Sequence, residues 1–143
     1  MKKQTLLDFF HELRHMNVDF TVVGSLALQA AGIPLRREPD DIDIEVHNVT
    51  EEQKNVFKTL DAFSNLVKTY GNNAPLAFMF AGVKVNIWYC PLAPDMRRFT
   101  VDSIHYKNVQ DVLTKKMEYG RQKDHEDLAY IVCGLSSLHV KEQ

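Results

Sequence analysis

The chain has 143 residues, of which 45% are hydrophobic, 25% charged and 10% aromatic. This composition is typical of an ordinary globular domain and excludes intrinsically disordered, collagen-like and coiled-coil proteins. Seventeen Lys and Arg residues against 19 Asp and Glu give a formal net charge of -2, so a general attraction to nucleic acid or anionic membranes is excluded. We therefore expect a single domain over residues 1–143, with a core that needs no structural metal.

The cysteine content and the hydropathy pattern indicate the compartment. Cys90 and Cys133 lie in apolar segments and are too few for a disulfide framework, so we expect no disulfides and a cytoplasmic location. No stretch approaches the roughly 20 apolar residues of a membrane span. The basic N-terminus lacks the continuous apolar core of a signal peptide and is instead expected to form an amphipathic helix.

The first part of the chain alternates between helix and strand patterns. Apolar spacing of three to four residues predicts helices, and β-branched or alternating segments predict strands. In order, these are a helix over Thr5–Met16, a strand over Phe20–Val23, a turn at Gly24-Ser25, a helix over Leu26–Ala31, a polar loop over Pro34–Pro39 and a strand over Asp40–Val46.

The second part begins with a capping-box pattern at Thr50. The predicted elements are a helix from there to about Phe63, a loop over Tyr70–Pro75, a β-hairpin of Leu76–Ala81 and Val83–Tyr89, a short strand over Phe99–His105, and two helices over Asn108–Tyr119 and Lys123–Leu135. This order predicts an α/β (α+β) fold, with a small mixed β-sheet flanked by helices and with helices at the C-terminus.

Two carboxylates on one strand are the first candidate functional residues. Asp41 and Asp43 alternate with Ile42 and Ile44, so both carboxylates are expected on one face of the strand. Two adjacent negative charges are costly unless a cation neutralises them, and hard oxygen ligands favour Mg²⁺ or Mn²⁺ over Zn²⁺. An isolated pair of this kind is also compatible with an ordinary solvated strand face.

The upstream turn adds a second element to this candidate site. Gly24 at a strand-to-helix turn allows a ligand to approach the backbone, and Ser25 adds a hydroxyl donor. Free N–H groups at a helix N-terminus favour phosphate. A phosphate-binding turn beside a carboxylate metal site is suited to nucleotidyl transfer.

In order along the chain, Val23-Gly24-Ser25, an Arg-bearing loop and Asp40-Asp41-Ile42-Asp43-Ile44 are followed by Lys116, Arg121-Gln122-Lys123-Asp124 and Asp127-Leu128. This pattern resembles the polymerase-beta-type nucleotidyltransferase superfamily, and in particular the minimal abortive-infection and type IV toxin-antitoxin nucleotidyltransferases. The resemblance covers roughly Phe20 to Ile131. It implies an enzyme that transfers a nucleoside monophosphate from an NTP to a hydroxyl of a small molecule, an RNA or a protein.

The resemblance also implies roles for individual residues. Asp41 and Asp43 would bind Mg²⁺ or Mn²⁺, and Gly24 and Ser25 would contact the triphosphate. Further nucleotide contacts would come from basic and acidic residues of the loop and the C-terminal helices, namely Arg37, Lys116, Arg121, Lys123, Asp124 and Asp127. From the residues alone, the basic members could equally form a solvated face, and the two acids could equally favour a helix N-terminus.

One position departs from the family pattern. A third carboxylate is expected on a neighbouring strand, where this chain has Asn86, and we count Asn86 with the catalytic set. An amide can offer its carbonyl oxygen to a metal but cannot accept a proton. Glu45, on the face of Asp41 and Asp43, could compensate. We expect His47 to lie at the surface and Trp88 either to pack on the C-terminal helices or to stack on a base.

Three hypotheses remain at this stage. The leading one is a metal-dependent nucleotidyltransferase. The second, motivated by Asn86, is a catalytically impaired nucleotide-binding or interaction protein on the same fold. The third, a glycosyltransferase with an Asp-x-Asp motif, is disfavoured by the short chain. The acceptor is not encoded in a recognisable motif, and because the domain is small we expect a homodimer or a partner subunit to complete the site.

Overall fold

The computed structural model describes residues 2–60 and 75–142. Within these residues the chain forms a mixed α/β domain of five helices and six strands, which confirms the predicted fold class. The elements in chain order are α1 (Lys3–His15), β1 (Asp19–Val23), α2 (Gly24–Ala30), β2 (Asp41–His47), α3 (Glu51–Leu60), β3 (Leu76–Phe80), β4 (Val83–Cys90), β5 (Phe99–Val101), β6 (Ile104–Tyr106), α4 (Val109–Tyr119) and α5 (Gln122–Glu142).

The six strands form one sheet in the order β3-β4-β2-β1-β6-β5. β2 lies near its centre, antiparallel to β1 and parallel to β4. The outer pairs β3–β4 and β5–β6 are antiparallel hairpins, whereas β1 and β6 are parallel. The sheet is therefore mixed, and its central strand carries the paired carboxylates.

One face of the sheet forms the main core. Ile42, Ile44 and Val46 of β2 are fully buried on this face, and aromatic side chains of α1 and α3 pack in the same apolar cluster. Each such side chain contributes roughly 1.5–3 kcal/mol on burial. The alternation of β2 is thus fixed by the core, which forces residues 41, 43 and 45 to the other face.

A smaller core joins the remaining helices. Ala27 and Leu28 of α2 form a second buried cluster with Val112 of α4 and Ile131 of α5. α2 also packs against β1 and β2, and α4 packs against α5. This cluster holds the α4–α5 pair beside the polar face of β2.

Several element boundaries differ from the sequence predictions. α2 begins at Gly24 rather than Leu26, and the predicted strand over Phe99–His105 is a hairpin of β5 and β6. The C-terminal helix extends to Glu142, beyond the predicted Leu135. The predicted end of the third helix near Phe63 and most of the loop over Tyr70–Pro75 lie outside the described residues.

Two further predictions concern disulfide bonds and membrane-spanning helices. Cys90 and Cys133 are both free thiols. In the part of the chain that the structure describes, every helix is too short or too polar to cross a lipid bilayer.

Candidate functional site

The polar face of β2 borders a cavity of about 360 Å³. Asp41, Asp43 and Glu45 all line it, as the alternation of the strand predicts. Each of the three is partly buried, while the isoleucines between them are inaccessible to solvent. The two aspartates therefore lie on one face of the strand, as predicted, and this face borders the cavity.

The Gly24 turn touches the second of these carboxylates. Gly24 has φ = 67°, a conformation that side-chain-bearing residues rarely adopt. A Cβ atom built on this residue would lie 2.7 Å from the Oδ2 atom of Asp43, closer than such atoms approach. The site therefore requires glycine here both for the turn and for space, and Ser25 follows it on the cavity wall.

Asn86 lies next to Asp43 on the adjacent strand. The parallel register of β2 and β4 pairs these two residues directly. Asn86 is buried, and its Nδ2 atom donates a hydrogen bond of 2.8 Å to Oδ1 of Asp43. The predicted neighbour of the carboxylate pair is thus in place, and its amide group serves as a donor to the carboxylate.

Burial and neighbouring acids make both aspartates weaker acids. Burial raises the pKa of Asp43 to about 6, and the charge of Asp41 adds to this, while the hydrogen bond from Asn86 and the charges of Lys116 and Lys123 oppose it. Burial, followed by the neighbouring Asp40, also raises the pKa of Asp41. Both shifts show that removal from water disfavours the charged form of these carboxyl groups.

Basic residues of the polar loop, of α4 and α5 and of the turn between these helices line the same cavity. They include the four that the family resemblance implies, namely Arg37, Lys116, Arg121 and Lys123. Lys123 is exposed and close enough to both aspartates to lower their pKa values, whereas the side chain of Lys116 is largely buried. The structure therefore brings the basic set and the carboxylates to one cavity.

The two acids of α5 anchor these cations. Asp124 is 1% exposed, and its Oδ2 atom accepts a hydrogen bond of 2.6 Å from Nε of Arg121. Burial would raise the pKa of Asp124, but the hydrogen bonds and the charge of Arg121 lower it below its ordinary value. Asp127 contacts Arg36 at 3.1 Å and Lys116 at 3.4 Å. Both acids line the cavity, and each neutralises cations of the wall.

Two contributors were missed by the sequence analysis. Lys107, which follows β6, donates a hydrogen bond of 2.6 Å to Glu45, so Glu45 is ion-paired inside the cavity. Arg36, rather than Arg37, makes the closer contact with Asp127. The Arg36-Arg37 pair was visible in the sequence, but Lys107 had no local signal because its partner is 62 residues away.

The expectation for His47 was wrong. His47 is 3% exposed, and its Nε2 atom lies 2.8 Å from the hydroxyl of Thr21 on the neighbouring strand. As the last residue of a central strand, it pairs in register with Asp19 of β1 and Cys90 of β4. Trp88, by contrast, lies beside Glu45 in register and lines the cavity.

The donor set suits a hard divalent cation. Asp41 and Asp43 present carboxylate oxygens, and Mg²⁺ commonly binds one or two carboxylates while keeping several waters. No group of three or more His, Cys, Asp and Glu residues with metal-binding geometry occurs within residues 2–60 and 75–142. Any such ion would thus be held by two carboxylates, with water and substrate completing its coordination.

Comparisons of the chain with protein-family models, with curated proteins and with solved structures gave no match.

Proposed function

We propose that the chain is a Mg²⁺- or Mn²⁺-dependent nucleotidyltransferase that moves a nucleoside monophosphate from an NTP to a hydroxyl acceptor. The observation that carries this proposal is the contact between the Gly24 turn and Asp43. It brings backbone without a side chain against one of the paired carboxylates, in a cavity that is also lined by several basic residues. That combination is suited to an anionic, metal-bound triphosphate.

The reaction exchanges one bond at the α-phosphorus for another. The acceptor oxygen forms a bond to the α-phosphorus, the bond to the pyrophosphate oxygen breaks, and the hydroxyl proton is released. A bound Mg²⁺ would polarise the phosphate oxygens and favour ionisation of the acceptor hydroxyl. Asp41 and Asp43 would hold that ion, while Lys116, Arg121 and Lys123 would stabilise the charge of the leaving pyrophosphate.

The proposal is tested by calorimetry on the purified chain with Mn²⁺ and each of the four NTPs. We expect micromolar to millimolar binding that Asp41→Asn weakens at least tenfold, because one metal-binding carboxylate is lost. The matched control is Asp102→Asn, at an exposed turn remote from the cavity. Failure of every NTP to bind in the presence of Mn²⁺, and again in the presence of Mg²⁺, would reject the proposal.

Transfer itself is followed with an α-³²P-labelled NTP in the presence of cellular small-molecule, RNA and protein fractions. Label that becomes covalently attached in the native sample, and not in Asp41→Asn, supports transfer and identifies the class of acceptor. Binding of NTP without any covalent label would instead support the second candidate function.

That second candidate is a nucleotide-binding protein without transfer activity. It is favoured by Asn86, which donates an N–H to Asp43 where a third carboxylate is expected. Asn86→Asp separates the two candidates. If the native chain already transfers label, the site is an active two-carboxylate site. If only Asn86→Asp transfers label, the native protein is the impaired form.

A further inference from the structure

The lining of the cavity contains two chemically different groups of side chains. One is the basic set of α4 and α5, of which Lys116 and Lys123 lie near enough to Asp43 to lower its pKa. The other comprises Glu45, Trp88 and Lys107. Residues 41, 43 and 45 follow one another along the same face of β2, so Glu45 lies one step beyond the two aspartates. A ligand held at the aspartates can therefore contact both groups.

The strand register sets the distance between the two aspartates and the second group. Trp88 pairs with Glu45, as Asn86 pairs with Asp43. Two residues of a strand advance by about 6.6 Å, so the Trp88–Glu45 level is one such step beyond Asp43. In a nucleotide, one ribose separates the α-phosphate from the base. An α-phosphate at the aspartates therefore places its base near this level.

The groups at that level match a nucleobase. The Trp88 indole offers an aromatic surface, and aromatic side chains are common stacking partners for bases. Glu45 and Lys107, 2.6 Å apart and each about three-quarters buried, place an acceptor directly beside a donor. The edge of a base likewise presents donor and acceptor atoms side by side. Because Glu45 and Lys107 neutralise each other, this level offers a phosphate no net positive charge, which assigns the triphosphate to the basic residues beside the aspartates.

We propose that Trp88, Glu45 and Lys107 form a nucleobase subsite, which orients the NTP with its triphosphate towards α4 and α5. This inference rests on the proposed function. Trp88 stacks on the base, Glu45 accepts a hydrogen bond from a ring N–H or an exocyclic amine, and Lys107 donates to a ring nitrogen or carbonyl. Because Glu45 and Lys107 form hydrogen bonds with particular atoms on the edge of the base, the four NTPs are bound with unequal affinity.

The experiment compares NTPs with inorganic tripolyphosphate, which has the same anionic chain without a base. Calorimetry on the full chain with Mn²⁺ is expected to show at least one NTP binding more tightly than tripolyphosphate. Trp88→Ala is expected to weaken that NTP about tenfold while leaving tripolyphosphate unchanged. Trp88→Phe, which retains a ring, is expected to recover most of the affinity.

Glu45→Gln tests the edge contacts. We expect the ratio between the tightest and weakest NTP to change about tenfold, again with tripolyphosphate unaffected. The matched control is Glu51→Gln, which removes another lysine-paired carboxylate whose partner, Lys54, does not line the cavity, and it is expected to change nothing.

The outcomes distinguish this inference from the proposed function. If tripolyphosphate and every NTP bind equally, or if Trp88→Ala and Glu45→Gln leave every NTP affinity unchanged, the subsite is rejected while nucleotide binding stands. If Trp88→Ala and Trp88→Phe weaken tripolyphosphate as much as NTP, Trp88 supports the cavity as a whole and the subsite is likewise rejected. If neither tripolyphosphate nor any NTP binds, the proposed function fails first.

Discussion

At the scale of single residues, Gly24 is expected to matter both for the stability of the fold and for ligand binding. Gly24→Ala should destabilise the protein by about 1–2 kcal/mol from backbone strain, plus about 1 kcal/mol or more because the new methyl group meets Asp43. NTP binding should be lost, since either Asp43 or the turn must move. Urea unfolding and calorimetry measure the two effects.

Gly32 provides the matched control for this substitution. Its φ is 80°, and no atom lies within 4 Å of an added Cβ. Gly32→Ala should therefore show the strain without the collision, and it should leave nucleotide affinity intact. Equal losses of stability in the two variants would contradict the argument from close contact.

Asp124 gives a prediction with a defined pH dependence. Its carboxylate pKa is lower in the folded protein than the ordinary value of 3.8, so the ionised form stabilises the fold. This stabilisation is complete above the unfolded pKa and is lost as the pH falls through the native pKa. Asp124→Asn should cost about 2 kcal/mol at pH 7, and the difference from the native chain should shrink below pH 3.8.

Chemical denaturation at pH 7 and at pH 3 measures this difference. Glu118→Gln, which removes an exposed i,i+3 pair with Lys115 on α4, should cost less than about 0.5 kcal/mol at pH 7. A cost for Asp124→Asn that is the same at both pH values would show that the charge of Asp124 is not what stabilises the fold.

At the scale of elements, Asp127 joins the polar loop to two helices. It lies on α5 and contacts Arg36 of the loop and Lys116 of α4. Asp127→Asn should leave these cations poorly neutralised, so backbone amides of residues 33–40 should exchange hydrogen at least tenfold faster. Hydrogen exchange followed by mass spectrometry tests this. Glu126→Gln, which removes an exposed ion pair with Arg36 and retains an acceptor for the hydrogen bond from Gln122, should have little effect.

The helix cap and the hairpin turns show which local features could be predicted from the sequence. The capping box at Thr50 was predicted and is present, with Thr50 and Gln53 exchanging hydrogen bonds of 2.9 and 3.1 Å. The β3–β4 turn at Ala81-Gly82 was marked by its glycine. The β5–β6 turn at Asp102-Ser103 adopts positive φ at both positions without any glycine, so the hairpin was mistaken for a single strand.

Other features of the site could not be predicted because they depend on the pairing of strands that are far apart in the sequence. The alternation of β2 predicted which side chains share a face, because that pattern is local. It could not show that Lys107 meets Glu45 or that His47 is covered, because both depend on which strands flank β2. The adjacency of Asn86 and Asp43 followed only from a family resemblance, and the register of β2 and β4 now places them side by side.

At the scale of the whole molecule, ligand binding should raise the thermal stability. A ligand at 100 times its Kd stabilises the folded state by about 2.7 kcal/mol, which for a domain of this size raises Tm by about 8 °C. We expect this increase with Mn²⁺ and NTP together and a much smaller one with either alone, because the metal neutralises both the aspartates and the phosphates. Differential scanning fluorimetry measures it.

Asp41→Asn controls for nonspecific effects of nucleotide and salt in this measurement. This variant should lose most of the joint increase in Tm while keeping any increase due to ionic strength. An equal increase in Asp41→Asn and in the native chain would contradict binding at the carboxylate pair.

The alternation of β2 also affects which misfolded states are accessible. A shift of this strand by one residue against its neighbours would turn three acids into the apolar core and three apolar side chains towards the cavity. The misregistered molecule would bury unpaired charge at a cost of several kcal/mol, so it would not persist as a folded but inactive species. Substitutions in β2 that damage the site by altering register should consequently be detected as loss of soluble protein, and whatever remains soluble should carry its carboxylates on the cavity side.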